Sequence, residues 1–266
     1  DSINGLELLD TSMTTNMGYM FYNTGRNSTT FTLDLSNFDT SNITNMSNMF
    51  YYTGGSNPTF TLDVSNFDTR NVTNMSSMFS QTGRKSTTFT LDVSNFDTSN
   101  VTNMSAMFNY TGSKNPNFTL DVSGFDTRKV TDMSLMFRGT GIDSTILSLD
   151  VSGFNTSNVT NMKNMFEDAA KDNTTFTLDV SNFDTSNVTN MSHMFNQTGF
   201  NSTKLNTSIT IRNPNITSYD YMFNNVATKE GSQIIVNYTS ETSDLVDAMI
   251  ATKSYNSNVV KGVQVD

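Results

Sequence analysis

A unit of 29 residues returns along most of this chain. The leucines that open successive copies are Leu33, Leu62, Leu91, Leu120, Leu149 and Leu178. Each begins a close copy of the sequence L-D-V-S-N-F-D-T-S-N-V-T-N-M-S-N-M-F. A fixed period of this length is typical of a solenoid, in which each unit contacts only its neighbours. Function is therefore expected on a stacked surface and not in a deep pocket.

The phenylalanine that ends each unit can be used to count the copies. It can be followed through Phe21, Phe50, Phe79, Phe108, Phe137, Phe166, Phe195 and Phe223. We predict about eight copies over residues 1–225, the first of them incomplete, so that the chain continues a longer protein. Residues 226–266 break the pattern and are expected to form a C-terminal cap. The cap should contain strands at 234–236 and 259–260 and a helix at 243–251, whose Leu245, Met249 and Ile250 face the last copy.

Two stretches of each copy carry a periodic apolar pattern. Phe31, Leu33 and Leu35 alternate with polar residues, which predicts a strand over 31–35. The later apolar residues, from Ile43 to Phe50, lie on one stripe of a helical projection, which predicts a helix over roughly 41–51.

Stacking such units predicts the fold class. It is an α/β solenoid of the leucine-rich-repeat type, with a parallel sheet on one side and short helices on the other. Thr53-Gly54-Gly55 should end the helix in a left-handed conformation.

The wording of the repeat, as it stands at 62–79 and 178–195, resembles that of the BspA-like leucine-rich repeat surface proteins. The resemblance covers about residues 6–223. It implies an extracellular bacterial protein, attached to the cell surface through a segment outside this sequence, and a role in adhesion. The chain departs from the usual repeat by a longer Thr-Gly loop and by the lack of a cysteine after the helix.

Charge and composition limit the partners. The net charge of -10 makes nucleic acid an unsuitable partner. No stretch has the ~18 apolar residues that a membrane span requires, so we expect no membrane insertion of this segment. We expect a monomer.

Catalysis is not expected. Cysteine is absent, and the single histidine, His193, occupies a slot that other copies fill with Asn48, Ala106 or Leu135. A slot so variable is interpreted as exposed surface. No serine stands in a nucleophile motif, and no glycine-rich phosphate loop is present.

Acidic residues form two columns along the stack. The first column, on the polar face of the strands, is Asp34, Asp63, Asp92, Asp121, Asp150 and Asp179. The second is Asp39, Asp68, Asp97, Asp126 and Asp184, with Asn155 at the remaining position. Because Asn caps a helix almost as well as Asp but lacks its charge, helix capping is favoured over calcium for the second column. For the first column, hydrogen bonding to Thr or Ser hydroxyls of adjacent copies is favoured, and calcium stays open as the only cofactor.

The loop after each predicted helix varies more than the rest of the copy, and its residues form one ridge along the stack. We take the aromatic and basic residues of this ridge as candidate binding residues, since Tyr and Arg dominate protein interfaces. They are Tyr51, Tyr52, Arg84, Lys85, Tyr110, Lys114, Arg138 and Phe200.

Three functions remain open. The first is a recognition or adhesion module for a protein or glycan on a host or neighbouring cell, engaged by the ridge or by the polar strand face. The second is a passive spacer within a larger surface protein. The third is a calcium-stabilised array.

Overall fold

A computed structural model describes residues 2–265 of the chain. Within that range, regular secondary structure is almost confined to the C-terminal part. Three parallel strands, β1 (Asn206–Ile211), β2 (Gln233–Tyr238) and β3 (Val259–Gln264), form one sheet in that order. A 3-10 turn at Ser240–Thr242 leads into the helix α1, Ser243–Ile250, and one more 3-10 turn lies at Leu6–Leu8.

The predicted elements of the C-terminal segment are confirmed. β2, α1 and β3 cover the predicted strand, helix and strand. Met249 is buried, and Leu245 and Ile250 are partly buried against the same hydrophobic core that runs through the copies.

The predicted helix over 41–51 is wrong, because residues 47–56 form a run of turns instead. Asn48 and Tyr52 have φ values of 57° and 54°, in the left-handed region that a right-handed helix excludes. Gly54, at φ 58°, is left-handed as predicted. The turns bury the same apolar stripe that a helix would have buried, since Ile43, Met46 and Phe50 are inaccessible to solvent.

Hydrogen bonds between copies explain why turns replace the helix. Every second amide of the segment donates to the next copy over 2.8–3.0 Å: Met46 to Asn74, Asn48 to Ser76, Phe50 to Met78 and Tyr52 to Ser80. The amides between them close turns within the copy, as from Met49 to the carbonyl of Met46. Half of the amides that an α-helix would bond internally thus join neighbouring copies. Isolated parallel bridges follow the same stack from Asn16 to Ser218.

The stack is filled by a ladder of phenylalanine rings. The eight phenylalanines that close the copies stack with centroids 5.7–6.0 Å apart and planes within 8° of parallel. Aromatic burial of this extent is a large share of the hydrophobic stabilisation. No copy could bury these rings alone, so the copies depend on one another.

The strand predicted over 31–35, and the parallel sheet predicted from its equivalents, do not form in the repeats. The predicted alternation of buried and exposed residues is present, as at Phe60, Leu62 and Val64 with Thr61 and Asp63 between them. Apart from one isolated parallel bridge between Ser2 and Thr32, these segments are extended but not paired with one another in residues 2–265, and only β1–β3 make a sheet. The rings at the start of these segments stack with centroids 5.8–6.1 Å apart, as the rings that close the copies do.

Like charge favours this separation. The first acidic column places an aspartate on each extended segment, and like charges directly opposite one another destabilise strand pairing. The column ends at Asp179, and the next two positions of the stack carry Ser208 and Ile235, which are paired between β1 and β2. The sheet therefore begins where the acidic column stops.

Candidate functional site

Each aspartate of the first column is held by a local turn. Its Oδ1 accepts a hydrogen bond from the amide of the serine two residues later, over 2.9–3.0 Å in all six copies. The bond lies within one copy, so the predicted bonding to hydroxyls of adjacent copies is wrong. Its cause is local, because an aspartate can bond its own backbone two residues on without help from a neighbour.

The turn also fixes the charge of these carboxylates. Asp121 accepts a second bond of 2.7 Å from the Ser123 hydroxyl, and Asp150 accepts the same from Ser152. Both bonds favour the ionised form, so the hydroxyl and then the amide of the serine lower the pKa of Asp121 and of Asp150. Burial opposes this effect but is the smaller cause. The column is negatively charged at neutral pH.

The separated extended segments leave an open groove between the copies, which we name the acidic groove. Its central part has a volume of about 650 Å³. Leu62, Leu91 and Leu120 line its floor with the 4–6% of their surface that is accessible, and the first-column aspartates at 63, 92, 121 and 150 line its rim. Smaller cavities continue it to Asp34 at one end and Asp179 at the other, sharing Asp63 and Asp150 with the central part.

The acidic groove is lined by backbone groups that lack protein partners. Among the described residues, none donates to or accepts from the main-chain amides and carbonyls of 61–63, 90–92 and 119–121. Only the Oδ1 atoms of the aspartates are engaged there. Extended backbone with free donors and acceptors is a template for pairing with another chain.

The second acidic column has the local role that was favoured for it, in turns and not at a helix. Asp39 Oδ1 accepts from the Ser41 amide at 2.9 Å, and Asn155 Oδ1 accepts from the Ser157 amide at 3.0 Å. The identical geometry explains why Asn can replace Asp. Two aspartates of this column are also compensated, because Asp68 pairs with Arg70 and Asp126 pairs with Arg128.

The tyrosines of the ridge are engaged inside the stack. Tyr51 stacks on Tyr22 with centroids 4.8 Å apart, and its hydroxyl accepts a 2.6 Å bond from Gln81 Nε2. The guanidinium of Arg26 lies 4.5 Å from the ring centroid of Tyr52. Both tyrosines are half-buried.

The ridge arginines share one aromatic partner. The guanidinium of Arg84 lies 4.7 Å from the Tyr110 ring centroid, and that of Arg138 lies 5.4 Å from the same ring. Arg84 Nη1 also donates to Gln81 Oε1 at 2.7 Å. These cation–π contacts join three copies, so the ridge stabilises the stack through its own side chains.

The remaining ridge residues differ in whether their side chains contact other residues of the chain. Lys114 pairs with Asp143 at 2.9 Å, and Lys229 lies 5.3 Å from the centroid of Phe200. Lys85 is exposed, and its side chain has no partner among the described residues. The structure thus brings most of the predicted binding residues into contact with neighbours in their own chain.

A buried charge cluster on the ridge was missed by the sequence analysis. Glu167 is buried, and its carboxylate accepts from Asn164 Nδ2 at 2.5 Å and Asn196 Nδ2 at 2.9 Å. Arg138 Nε lies 2.7 Å from Oε2, a charge contact whose angle falls outside hydrogen-bond geometry. The opposite charges of Arg138 and Glu167, one period apart in the same slot, were the signal that could have found it.

His193 belongs to this cluster, which corrects its interpretation as exposed surface. It is half-buried, with Nδ1 3.8 Å from Glu167 Oε1 and its ring stacked on Tyr221 at 5.1 Å. Ala106 and Asn164, which fill the same slot in other copies, are buried. The slot has a left-handed backbone in each copy, although its side chain varies.

Residues 2–265 contain no group of three or more His, Asp or Glu side chains placed to hold a metal ion. No helix in this range is long and apolar enough to cross a membrane.

One protein-family model matches most of the chain. It is described as a Mycoplasma protein of unknown function (DUF285), and it matches residues 2–119, 56–169 and 110–238. The chain belongs to this family. The three DUF285 matches overlap and together run from residue 2 to residue 238, across the copies and into the first part of the C-terminal segment.

Kinship beyond DUF285 was not found. No curated protein matches the chain. No solved structure matches it.

Proposed function

We propose that this DUF285 chain is a leucine-rich-repeat-type solenoid of about eight copies, related to the BspA-like proteins, that acts as a recognition or adhesion module on a cell surface. It binds a protein or glycan of a host or neighbouring cell and performs no catalysis. The acidic groove is the binding face. The single observation that carries the proposal is an open groove, floored by leucines and edged by charged groups, that runs across successive copies.

The acidic groove supports recognition because its groups are unsatisfied within the chain. Apolar clefts with a few directed polar groups are the usual form of a binding site. The free amides and carbonyls beside Leu62, Leu91 and Leu120 can be satisfied only by solvent or a partner. The ridge is the weaker candidate, since Tyr51, Tyr52 and Arg84 already contact other side chains of the same chain.

A passive spacer is the second candidate, and the ridge favours it. Cross-copy stacking, cation–π contacts and ion pairs give the array a stiffness that suits a spacer, and they would persist with no partner at all.

A binding screen separates the two candidates. The chain is immobilised and exposed to a panel of extracellular-matrix proteins, mucins and glycans, with interferometry as the readout. Two variants accompany it: a ridge variant, Tyr51→Ala, Tyr52→Ala and Arg84→Ala, and a groove variant, Asp63→Asn, Asp92→Asn, Asp121→Asn and Asp150→Asn.

Recognition through the groove requires a partner that the groove variant loses and the ridge variant retains. The reverse pattern would move the site to the ridge while preserving recognition. Absence of binding across the whole panel would favour the spacer. Melting curves of both variants check that any loss of binding is not a loss of folding.

A further inference from the structure

We propose that the acidic groove binds an extended, basic polypeptide segment in which lysines or arginines alternate with apolar residues. The inference deepens the proposed function, on which it rests, by naming the chemistry of the partner. It stands on the shape of the groove, the unpaired charge of its rim and the unpaired backbone of its walls.

The shape suits a chain and not a compact ligand. The groove is open along the stack from Asp34 to Asp179 and is crossed by one copy after another, so a long occupant meets the same surface repeatedly. Leu62, Leu91 and Leu120 form the floor, and Ile146 adds a half-exposed apolar side chain at one end. Apolar side chains of a partner, and the aliphatic stems of its lysines, can lie on this floor.

The charge of the rim selects a cation. Each aspartate of the first column uses Oδ1 in its own turn, and Oδ2 has no hydrogen bond or ion pair within residues 2–265. In contrast, the second column has Arg70 and Arg128 as counter-charges. The first column is therefore the uncompensated one, and complementary charge on a partner provides both attraction and faster association.

The backbone of the walls selects a polypeptide. The extended segments around Leu62, Leu91 and Leu120 offer free amides and carbonyls, and a peptide that crosses these segments carries main-chain donors and acceptors that can meet them one at a time. A glycan site is expected to show an exposed aromatic ring, and no aromatic side chain lines the groove. Nucleic acid would be repelled by the same carboxylates.

Fluorescence polarisation with a defined probe tests the inference. The probe is a labelled octapeptide of alternating Lys and Val, and a matched peptide of alternating Glu and Val serves as the charge-reversed control. The full chain is compared with the groove variant and with a control variant, Asp39→Asn, Asp68→Asn, Asp97→Asn and Asp126→Asn. Both variants lose the same charge, and Asn155 shows that asparagine preserves the local turn.

The basic peptide should bind the full chain and the control variant within about threefold of each other, and the groove variant at least about tenfold more weakly. The acidic peptide should not bind. Raising the salt from about 50 to 500 mM should weaken binding, since the screening length of exposed charges falls from about 14 Å to about 4 Å. A Lys-Gly peptide of equal charge should bind more weakly than the Lys-Val peptide if the leucine floor contributes.

If the two variants weaken binding of the basic peptide equally, net charge alone explains the loss and the inference is overturned. Binding of the acidic peptide, or absence of binding of the basic peptide to the full chain, would also overturn it. The proposed function fails separately. A partner found in the panel whose affinity the groove variant leaves unchanged would refute the basic-peptide inference and leave recognition standing.

Discussion

At the scale of the residue, a left-handed backbone at one slot decides between helix and turn. Asn48, Ser77, Ala106, Leu135, Asn164 and His193 occupy that slot, and all have φ between 55° and 60°. Asparagine tolerates this region and leucine does not favour it, so the conformation is imposed by the bonds between copies and not by the local sequence.

Substitution of Asn48 gives a direct test of that conformation. We predict that Asn48→Val lowers the free energy of unfolding by about 1–2 kcal/mol, because a β-branched residue is strained at positive φ. Asn48→Gly should leave stability unchanged or raise it. A helix would give the opposite order, because glycine is less favourable than valine in a helix interior by roughly a few tenths of a kcal/mol. Urea denaturation of both variants decides the point, and a glycine variant less stable than the valine variant would contradict the turn.

The local turns of the acidic columns predict how stability depends on pH. Hydrogen bonds lower the pKa of Asp121 below its usual 3.8, so the folded state holds its proton less tightly than the unfolded state. The stabilisation is present above the unfolded pKa and is lost as the pH falls through the lower folded pKa. The melting temperature should therefore begin to fall as the pH drops below about 4. Thermal melts between neutral and strongly acidic pH measure this fall in melting temperature.

The serine hydroxyl is the first cause of that shift. Ser123→Ala should raise the pKa of Asp121 towards its usual value, while Thr119→Ala, which removes a hydroxyl that does not contact the carboxylate, should not. A carboxyl NMR titration gives both values, and equal titration of Asp121 in the two variants would contradict the assignment.

At the scale of the element, burial could be predicted from the sequence and pairing could not. Phe60, Leu62 and Val64 are buried as their alternation predicts, since alternation alone decides which side of an extended segment faces the core. Whether two such segments pair depends on what lies opposite in the next copy. The ridge was misjudged for the same reason, because Arg84 and Tyr110 meet only after stacking brings them together.

The acidic column predicts a change of secondary structure on mutation. Asp63→Thr, Asp92→Thr and Asp121→Thr together remove like charges from adjacent segments and supply a strand-forming residue. Hydrogen bonds from Ser94 lower the pKa of Asp92, and the neighbouring charges of Asp121 and Asp63 act in the opposite direction, as expected for like charges in adjacent copies. We expect the variant to gain parallel strand pairing and a higher melting temperature. Infrared amide I spectra report the pairing.

The second column provides the control. Asp39→Thr, Asp97→Thr and Asp126→Thr remove the same charge from turns that cannot pair as strands. A gain of strand signal in this control as large as in the first-column variant would show that net charge, and not the position of the column, sets the separation.

At the scale of the whole molecule, the period of 29 residues and the continuous core were readable from the sequence, because every copy repeats its apolar positions. The ends of the stack behave differently from one another. The C-terminal end is closed by α1 and β3, whose Met249 and Val259 are buried. The N-terminal end exposes Leu8 and Met13, which are 82% and 88% accessible.

The N-terminal end also offers unpaired acceptors in register. In the second copy, the carbonyls of Asn45, Ser47, Met49 and Tyr51 accept amides of the first copy. The equivalent carbonyls of the first copy, at 16, 18, 20 and 22, have no backbone partner among the described residues. This end is therefore competent to receive one more unit.

Adding a unit should stabilise the array. A copy of residues 30–58 placed directly before residue 1 continues the period and meets both the exposed side chains and the free carbonyls. Because the stability of a repeat array is close to a sum of unit and interface terms, the added interface should raise the melting temperature. Slow hydrogen exchange of the added amides would report their docking. The matched control is the same segment with its Leu, Ile, Met and Phe residues changed to serine, which keeps the length but cannot enter the core. Equal melting temperatures for the two extended chains, with fast exchange in both added segments, would mean that the copies do not stack through the interactions described.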